Sequence, residues 1–307
     1  MTGIICLNKP EGITSFLALK KTKRVIGEKK AGHCGTLDPM ATGVLPVMVG
    51  GATRFLPYLP VTPKKYVAVM EFGYRTNTLD RTGEVTEKTG IIPEKEDIIK
   101  VLNDFRGEIM QVPPMYSAIK KNGVRMYDLA RQGIEVEREA RPATIYSLEL
   151  LDSETGKPGE YRLTVTCSSG TYVRTLIDDI GSALGTGATM TALERTAVGR
   201  FSLENSVTIE ELEALEPEKV LISVNEALSD YPEIKVTEAQ GKRFHNGGAL
   251  SLERVHYFDS HVIDLTGGIG CKPGLMRVLS PKGEFLGLGR LDEAASEIAV
   301  ERVYVGR

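Results

Sequence analysis

A glycine-rich loop followed at once by an apolar run is the feature that most constrains how this chain folds. Residues 32–43 read GHCGTLDPMATG, with three glycines and one proline around a single acid, Asp38, and residues 44–49 are apolar. Glycine lets another chain approach the backbone closely, and proline fixes the backbone beside the acid. The pattern predicts a rigid loop that holds one carboxylate in a fixed orientation, followed by a short helix from about Ala52.

Local patterns elsewhere predict a mixture of helices and strands. Thr14 and Ser15 can cap a helix that reaches about Ile26, a second helix begins near Pro93, and helical spacing recurs over residues 173–184. Strands are predicted where apolar residues cluster or alternate, at residues 3–8, 66–72 and 161–167. The fold class is therefore α+β.

The C-terminal part of the chain reads as a separate small module. Residues 275–280 and 285–290 flank a Pro-Lys-Gly-Glu segment that is compatible with a tight turn, so they predict a β-hairpin in a small barrel. An acidic segment with helical spacing, at about residues 208–217, is predicted to link this module to the main body.

Basic charge is concentrated in the first 65 residues although the net charge is −3. Residues 1–65 contain ten Lys and Arg against three Asp and Glu, whereas residues 201–307 contain 11 against 18. Such a tract is typical of a solvated helix face and also of a surface that contacts RNA phosphates, and charge alone does not decide between them. Six basic residues form the tract: Lys20, Lys21, Lys23, Arg24, Lys29 and Lys30.

Cysteine spacing and hydropathy argue against several protein classes. The four cysteines form no CxxC pair, so neither a zinc site nor a disulfide framework is indicated, and each is predicted to be buried. No stretch approaches the ~20 apolar residues of a membrane-spanning helix, and the N-terminus lacks the pattern of a signal peptide. We therefore expect a cytoplasmic protein with no membrane association.

Several motifs along the chain occur in an order that resembles one enzyme family. The longest are residues 32–53 (GHCGTLDPMATGVLPVMVGGAT), 111–120 (QVPPMYSAIK) and 170–181 (GTYVRTLIDDIG). Shorter matches begin at Lys9-Pro10, at Lys65-Tyr66 and at residue 127. Together they resemble the bacterial tRNA pseudouridine(55) synthases, the TruB family. Taken singly, Asp38 could merely cap a turn, and the other conspicuous side chains could be core or surface residues.

The resemblance implies a fold and a division into domains. It implies a pseudouridine synthase fold with a mainly antiparallel mixed sheet, plus a small C-terminal PUA-like β-barrel. The catalytic domain is expected over residues 1–205, with an RNA-binding insertion at about 75–145. A helical linker is expected over residues 206–230, and the PUA-like RNA-binding domain over 231–307, where GKRFHNGG (residues 241–248) is similar to such domains.

Roles follow from the resemblance for individual residues. Asp38 matches the catalytic aspartate, Arg174 the arginine that pairs with it, and Tyr172 a tyrosine near C5 of the base. Substrate-binding residues are expected at Tyr66, which matches a tyrosine that stacks on the flipped uracil, and at Leu193, His33 and Lys9. The basic tract and Arg131 are expected to contact RNA.

The implied reaction is isomerisation of uridine 55 in the tRNA T-loop to pseudouridine, with Asp38 as nucleophile. One bond to the base is exchanged for another, so neither hydride transfer nor activated water is needed and no metal or other cofactor is expected. The expected partner is the tRNA T-arm, with no protein partner and a monomeric enzyme. Two alternatives stay open: a guide-RNA-dependent pseudouridine synthase, and a tRNA-binding folding factor whose chemistry is incidental.

Overall fold

The computed structural model describes residues 1–306 except 118, 122, 131, 135, 152–156 and 256–267. The strands are, in chain order, β1 (Gly3–Lys9), β2 (Ala31–His33), β3 (Thr42–Val49), β4 (Lys64–Phe72), β5 (Tyr74–Thr76), β6 (Val85–Lys88), β7 (Gly107–Gln111), β8 (Lys120–Lys121), β9 (Val124–Arg125), β10 (Arg141–Leu151), β11 (Glu160–Cys167), β12 (Ala188–Val198), β13 (Phe201–Ser202), β14 (Glu233–Lys235), β15 (Leu250–Ser251), β16 (Leu275–Leu279), β17 (Phe285–Asp292) and β18 (Glu297–Val303). The α-helices are α1 (Ser15–Ile26), α2 (Lys95–Leu102), α3 (Met126–Ala130), α4 (Val173–Ala183), α5 (Ile209–Ala214), α6 (Val224–Ala227) and α7 (Glu238–His245).

A nine-stranded sheet forms the centre of the molecule. Its strands lie in the order β1-β3-β12-β4-β11-β10-β7, with β2 paired to β3 and β13 paired to β12. The pairs are antiparallel except β3 with β12, which run parallel where Gly43 lies opposite Arg195. A Cβ on Gly43 would lie 2.3 Å from the carbonyl oxygen of Arg195, so only glycine allows the two backbones to approach this closely. The predicted α+β class with a mainly antiparallel mixed sheet is confirmed.

Helix α1 begins and ends where the sequence predicts. The Thr14 hydroxyl accepts a hydrogen bond from the Leu17 backbone N–H at 3.1 Å, and Gly27 ends the helix in a left-handed conformation at φ 66°. The buried side of the helix, which includes Ala18, Leu19 and Ile26, packs with β1 and β3. This packing leaves the basic side of the helix in solvent.

Strand β12 lies between β3 and β4 and was not predicted as a strand. Its register against β4 shifts between Met190 and Ala192 and again between Arg195 and Ala197. Each shift places two successive residues opposite one partner, so the alternation of apolar and polar residues is lost in the sequence. The strand still contributes Leu193 to the main core, which also contains Tyr66 from β4.

The C-terminal module is a five-stranded sheet in the order β14-β16-β17-β18-β15, and it contains the predicted hairpin as β16 and β17. The module shares a hydrophobic cluster with the main body, in which Phe55 packs against Phe285 and Tyr304. The preceding segment also packs on the main sheet, because Val207 pairs with Leu7 and Ile222 with Ile4 on β1.

Two further sequence expectations can be compared with the structure. Cys6, Cys34 and Cys167 are buried as predicted, but Cys271 is only partly buried because it lies in a loop before β16. None of the helices in the described residues is long and apolar enough to cross a membrane.

Candidate functional site

The loop that carries Asp38 is held on both sides of the aspartate by the segment between β1 and α1. The Ser15 hydroxyl accepts a hydrogen bond from the Leu37 N–H at 2.8 Å and donates one to the Leu37 carbonyl oxygen at 2.9 Å. On the other side, the Gly12 N–H donates to the Pro39 carbonyl oxygen at 2.8 Å. Leu37 and Pro39, the two neighbours of Asp38, are therefore fixed, in agreement with the rigid loop predicted from the sequence.

Lys9 lies beneath this loop. Its side chain is fully buried, and its ammonium donates to the carbonyl oxygens of Pro10, Ile13 and Pro39 at 2.7, 2.9 and 3.4 Å. Burial lowers the pKa of Lys9 to about 8, although the negative charge of Asp38 opposes this change. These contacts tie the Asp38 loop to the β1–α1 segment, and the expected role of Lys9 in binding substrate stays a prediction.

Arg174 brings its guanidinium to Asp38 from the first turn of α4. Arg174 Nε lies 3.0 Å from Asp38 Oδ2, and the arginine side chain is 6% exposed whereas that of Asp38 is 34% exposed. The remaining nitrogens of the guanidinium donate to the carbonyl oxygens of Thr78 at 3.1 Å and Tyr116 at 2.8 Å. A planar guanidinium held at several points aims the carboxylate and leaves part of it open to solvent.

A second carboxylate, Asp80, shares the same guanidinium and was not predicted from the sequence. Arg174 Nη1 lies 3.6 Å from Asp80 Oδ2, and both side chains are 6% exposed. Asp80 Oδ1 accepts hydrogen bonds from the Thr78 hydroxyl at 2.8 Å, the Thr82 hydroxyl at 2.6 Å and the Thr82 N–H at 3.0 Å. The preceding residue, Leu79, has a positive φ of 62°, which strains a leucine and marks this loop as a constrained one. A lone acid among threonines and a glycine, as in residues 75–83, was the available sequence signal.

Opposing effects act on the pKa of Asp38. Burial raises the pKa of the Asp38 carboxyl, the guanidinium of Arg174 lowers it, and the negative charge of Asp80 raises it again. The net direction is upward. Asp38 is therefore a weaker acid than a free aspartate, while Arg174 favours its ionised form.

An apolar surface lies beside the carboxylate. Tyr66 on β4 and Leu193 on β12 are each 8% exposed, and they share a core cluster with Leu37 and Met40 from the Asp38 loop. Burial raises the pKa of the Tyr66 hydroxyl to about 12, so the ring is neutral near pH 7. The sequence placed both residues in the site, and the structure brings them together in this cluster.

Tyr172 precedes α4 and is positioned by its backbone. The Tyr172 N–H donates to Gln111 Oε1 at 3.0 Å, and Gln111 Nε2 donates to the Tyr172 carbonyl oxygen at 3.2 Å. Gln111, from the end of β7, is 2% exposed and was not singled out from the sequence. Burial raises the pKa of the Tyr172 hydroxyl, while a hydrogen bond with Ser117 and the charge of Arg174 lower it.

The start of the Asp38 loop is held by Arg195. This arginine is 1% exposed and donates to the carbonyl oxygens of Val44 at 2.8 Å and Gly35 at 3.0 Å. His33, at the end of β2, has a buried Nδ1 with no hydrogen-bond partner in the described part of the chain. Burial and the nearby Arg195 lower the pKa of His33, so its imidazole is neutral near pH 7.

The basic tract begins at the edge of this site and extends away from it. Ser15, the first residue of α1, contacts the Asp38 loop, and the 12 residues of the helix span about 18 Å. Lys20, Lys21 and Arg24 on the helix are exposed, Lys23 is partly buried, and Lys29 and Lys30 beyond it are exposed. Arg131, also expected to contact RNA, lies outside the described residues.

Taken together, these groups place one partly exposed carboxylate beside a cation that orients it and a largely buried apolar cluster. Such a site can bind a flat, uncharged ring on the apolar side and bring the carboxylate against an atom bonded to that ring. The tyrosine hydroxyl of Tyr172 is available for proton transfer.

Two family models match consecutive parts of the chain. The model described as TruB family pseudouridylate synthase (N terminal domain) matches residues 23–173. The model described as tRNA pseudouridylate synthase B C-terminal domain matches residues 174–229. The first match ends at Val173 and the second begins at Arg174, so residues of the site lie in both matches.

Proteins named tRNA pseudouridine synthase B are similar to this chain over nearly its whole length. The protein from Clostridium kluyveri is 43% identical over 289 residues, covering 94% of this chain and 95% of the relative. That from Clostridium perfringens strain 13 is 44% identical over 294 residues, covering 95% and 96%. That from Pseudomonas putida F1 is 42% identical over 300 residues, covering 95% and 92%.

Two solved structures share the fold. The crystal structure of a Cbf5-Nop10-Gar1 complex contains a chain with a TM-score of 0.73 and 28% identity, and the match covers 99% of this chain and 85% of that one. A structure of an H/ACA RNP bound to a substrate RNA containing 2′-deoxyuridine matches with a TM-score of 0.72 and 26% identity, covering 99% and 86%.

Proposed function

Because this chain belongs to the TruB family of pseudouridylate synthases and is a tRNA pseudouridine synthase, we propose that it modifies uridine 55 of the T-loop with Asp38 as nucleophile. The observation that carries the proposal is the pair formed by Asp38 and Arg174, 3.0 Å apart, with the carboxylate 34% exposed and the guanidinium 6% exposed. An oriented carboxylate open to the cleft is what attack on a nucleoside requires.

The proposed reaction exchanges one bond between uracil and ribose for another. The bond between N1 and C1′ breaks, the base rotates, and C5 bonds to C1′. The proton leaves C5 and N1 becomes protonated, so atoms and electrons balance without an oxidant, a reductant or a cofactor. Asp38 either adds to the base or bonds to C1′ as the base departs. Both routes need the carboxylate ionised at the junction of base and sugar.

The site residues share this work as follows. A uridine stacked inside an RNA loop hides its glycosidic bond, so the nucleotide has to be flipped out and its base held. Tyr66 stacks on the extruded uracil and Leu193 packs against it. Arg174 keeps Asp38 ionised and aimed, and the β1–α1 segment keeps the loop rigid.

We assign removal of the C5 proton to Tyr172. Burial raises the pKa of its hydroxyl, so the phenol is protonated near pH 7 in the free enzyme. It passes this proton to N1 of the base after the bond between N1 and C1′ breaks, the positive charge of Arg174 favours the phenolate so formed, and the phenolate then accepts the C5 proton. Tyr172→Phe is therefore expected to slow release of the C5 hydrogen while leaving the earlier attack by Asp38 intact. Burst measurements of hydrogen release against substrate consumption test this assignment.

We further propose that the enzyme binds the T-arm as a monomer without a protein partner. The exposed basic residues of α1 contact phosphates, which position the RNA without reading its sequence. Binding should then weaken steeply as salt is raised. A flat salt response would contradict the assignment of phosphate contacts to Lys20, Lys21 and Arg24.

The deciding experiment is release of tritium from tRNA transcripts labelled at C5 of uridine. Purified wild-type protein is compared with Asp38→Asn and with the control Asp104→Asn, which changes an exposed aspartate by the same atoms. A transcript with cytidine at position 55 of the T-loop tests the site. Release is expected only with Asp38 and uridine 55 present, and unchanged release from the cytidine transcript would contradict the site assignment.

The same experiment separates the alternatives. The likeness to a chain of a Cbf5-Nop10-Gar1 complex favours considering a guide-dependent enzyme, which would be inactive on a minimal T-arm hairpin unless guide RNA and protein partners are added. If the protein is a tRNA folding factor, the Asp38→Asn variant should assist tRNA folding as well as the wild-type protein does. If both chemistry and folding assistance are present, the two functions coexist, and only the variant reveals which depends on Asp38.

A further inference from the structure

Two basic side chains converge on the backbone of Gly35, three residues before Asp38. Lys64 Nζ and Arg195 Nη1 each lie 3.3 Å from the position that a Cβ on Gly35 would occupy. Gly35 has a φ of 76°, so glycine both permits this backbone conformation and leaves room for the two cations. The reaction described above uses neither of these charges.

The two cations have no carboxylate to balance them. In the described residues, no Asp or Glu forms an ion pair with Lys64 or Arg195. The pKa of Lys64 is lowered by burial and by Arg195, and only the buried Cys167 and Cys34 oppose this change. The buried Nδ1 of His33, near Arg195, also has no hydrogen-bond partner among the described residues. The guanidinium of Arg195 donates to the carbonyl oxygens of Val44 and Gly35, whereas the ammonium of Lys64 makes no hydrogen bond or ion pair among the described residues. Partly buried charges are normally balanced by an opposite charge, and an anion beside Lys64 would supply it.

The position of the cluster relates it to the flipped nucleotide. Lys64 and Tyr66 are two residues apart on β4, so their side chains point to the same face, about 7 Å apart along the strand. Tyr66 lies opposite Arg195 on β12. A base that stacks on Tyr66 carries its own sugar, and the phosphates on that sugar reach about this far from the base.

We propose that Lys64 binds a backbone phosphate that directly flanks the flipped uridine. Arg195 lies behind it as a buried positive charge that favours an anion at this place. The proposal rests on the proposed function, because it needs a nucleotide extruded onto Tyr66. The contact forms only in the flipped state, so it favours extrusion and not the initial docking of the T-arm.

The protein side of the test uses two adjacent lysines. Lys64→Gln removes the partly buried charge, and Lys65→Gln makes the same change on the opposite, exposed face of β4. Single-turnover rates are measured on a synthetic T-arm hairpin with enzyme in saturating excess. Lys64→Gln should reduce the rate about 10- to 100-fold, as expected for loss of a charged hydrogen bond, with hairpin binding nearly unchanged. Lys65→Gln should leave the rate unchanged, and equal losses in both variants would overturn the proposal.

The RNA side of the test replaces each phosphate flanking the target uridine by a neutral methylphosphonate. At one of the two positions, the wild-type rate should fall by about the factor seen for Lys64→Gln on unmodified RNA. Lys64→Gln should lose nothing further on that hairpin, because the two changes remove the same contact. Losses that multiply, or a wild-type rate that is unaffected at both positions, would overturn the proposal.

The design separates failures of different kinds. If wild-type protein does not convert the unmodified hairpin, the proposed T-arm function is wrong. If wild-type protein is active but the losses multiply, only the role of Lys64 is wrong. If Lys64→Gln does not fold, the methylphosphonate hairpins still decide with the wild-type enzyme, because one of them has to be a slow substrate.

Discussion

Asp38 and Asp80 face the same guanidinium in very different surroundings. Asp38 is 34% exposed, and Arg174 is the cation that contacts it, at 3.0 Å. Asp80 is 6% exposed, and its Oδ1 accepts three hydrogen bonds from Thr78 and Thr82 while its Oδ2 lies 3.6 Å from Arg174. Among the described residues, the Asp38 carboxylate therefore keeps lone pairs that accept no hydrogen bond, whereas the Asp80 carboxylate is held by its neighbours.

This difference in surroundings explains how one arginine can contact two carboxylates. Asp80 is fixed in its loop and holds Arg174 from one side, so Arg174 is fixed when it reaches Asp38 from the other. The carbonyl oxygens of Thr78 and Tyr116 complete the hold on the guanidinium. Under the proposed function, Asp80 is therefore a positioning residue that acts through Arg174, and Asp38 is the residue that reacts.

The largest expected effect is the difference in rate between variants of the two carboxylates. Asp38→Asn should reduce the single-turnover rate by at least about 10⁴-fold, because it removes the nucleophile. Asp80→Asn should reduce it only about 10- to 100-fold, through a less rigid Arg174. Tritium release at saturating enzyme measures both.

Stability should show the reverse order. Asp80→Asn should lower the free energy of unfolding by about 1–3 kcal/mol, because it weakens hydrogen bonds to a buried carboxylate. Asp38→Asn, at a more exposed position, should change it less. Urea unfolding followed by circular dichroism measures the free energy of unfolding of both variants. Equal losses of single-turnover rate in the two variants would contradict the division of roles.

The sequence predicted one half of this pair and missed the other for a physical reason. Asp38 lies in a loop whose glycines and proline reveal its rigidity locally, and the family resemblance then assigns its role. Asp80 meets Arg174 across 94 positions of the chain, and no local pattern encodes such a contact. Strand β12 was missed similarly, because its two register shifts break the alternation that identifies strands. The caps of α1 and the hairpin of β16 and β17 were predicted because they depend on neighbouring residues alone.

The next prediction tests whether the planar shape of Arg174 matters in addition to its charge. Arg174→Lys keeps the charge but loses the planar fork, and a single ammonium cannot reach two carboxylates and two carbonyl oxygens together. The single-turnover rate should fall about 10²-fold, with substrate binding little affected. The control Arg162→Lys, at an exposed position on β11, should behave as wild type. A rate within a few-fold of wild type for Arg174→Lys would show that charge alone suffices.

A smaller effect concerns the pH dependence of the rate. Asp38 has to be ionised to attack, and its pKa is raised by burial and by the charge of Asp80. The acidic limb of the single-turnover rate should therefore lie above the usual range of an aspartate. Asp80→Asn removes a negative charge, so Asp38 should ionise more readily and the limb should move to lower pH. A limb that moves to higher pH in this variant would mean that the charge of Asp80 does not act on Asp38.

The smallest effect separates the rigidity of the Asp80 loop from its charge. Thr82→Val removes the hydroxyl that donates to Asp80 Oδ1 at 2.6 Å and leaves the charge in place. The free energy of unfolding should fall by about 1–2 kcal/mol and the rate by only a few-fold, with the acidic limb unmoved. Thr86→Val, at an exposed position on β6, is the matched control; it removes only a long hydrogen bond to the Arg75 carbonyl oxygen, at 3.4 Å, and should alter neither. If Thr82→Val slows the reaction as much as Asp80→Asn, then the loop geometry, and not the charge that Asp80 presents to Arg174, is what the catalytic carboxylate depends on.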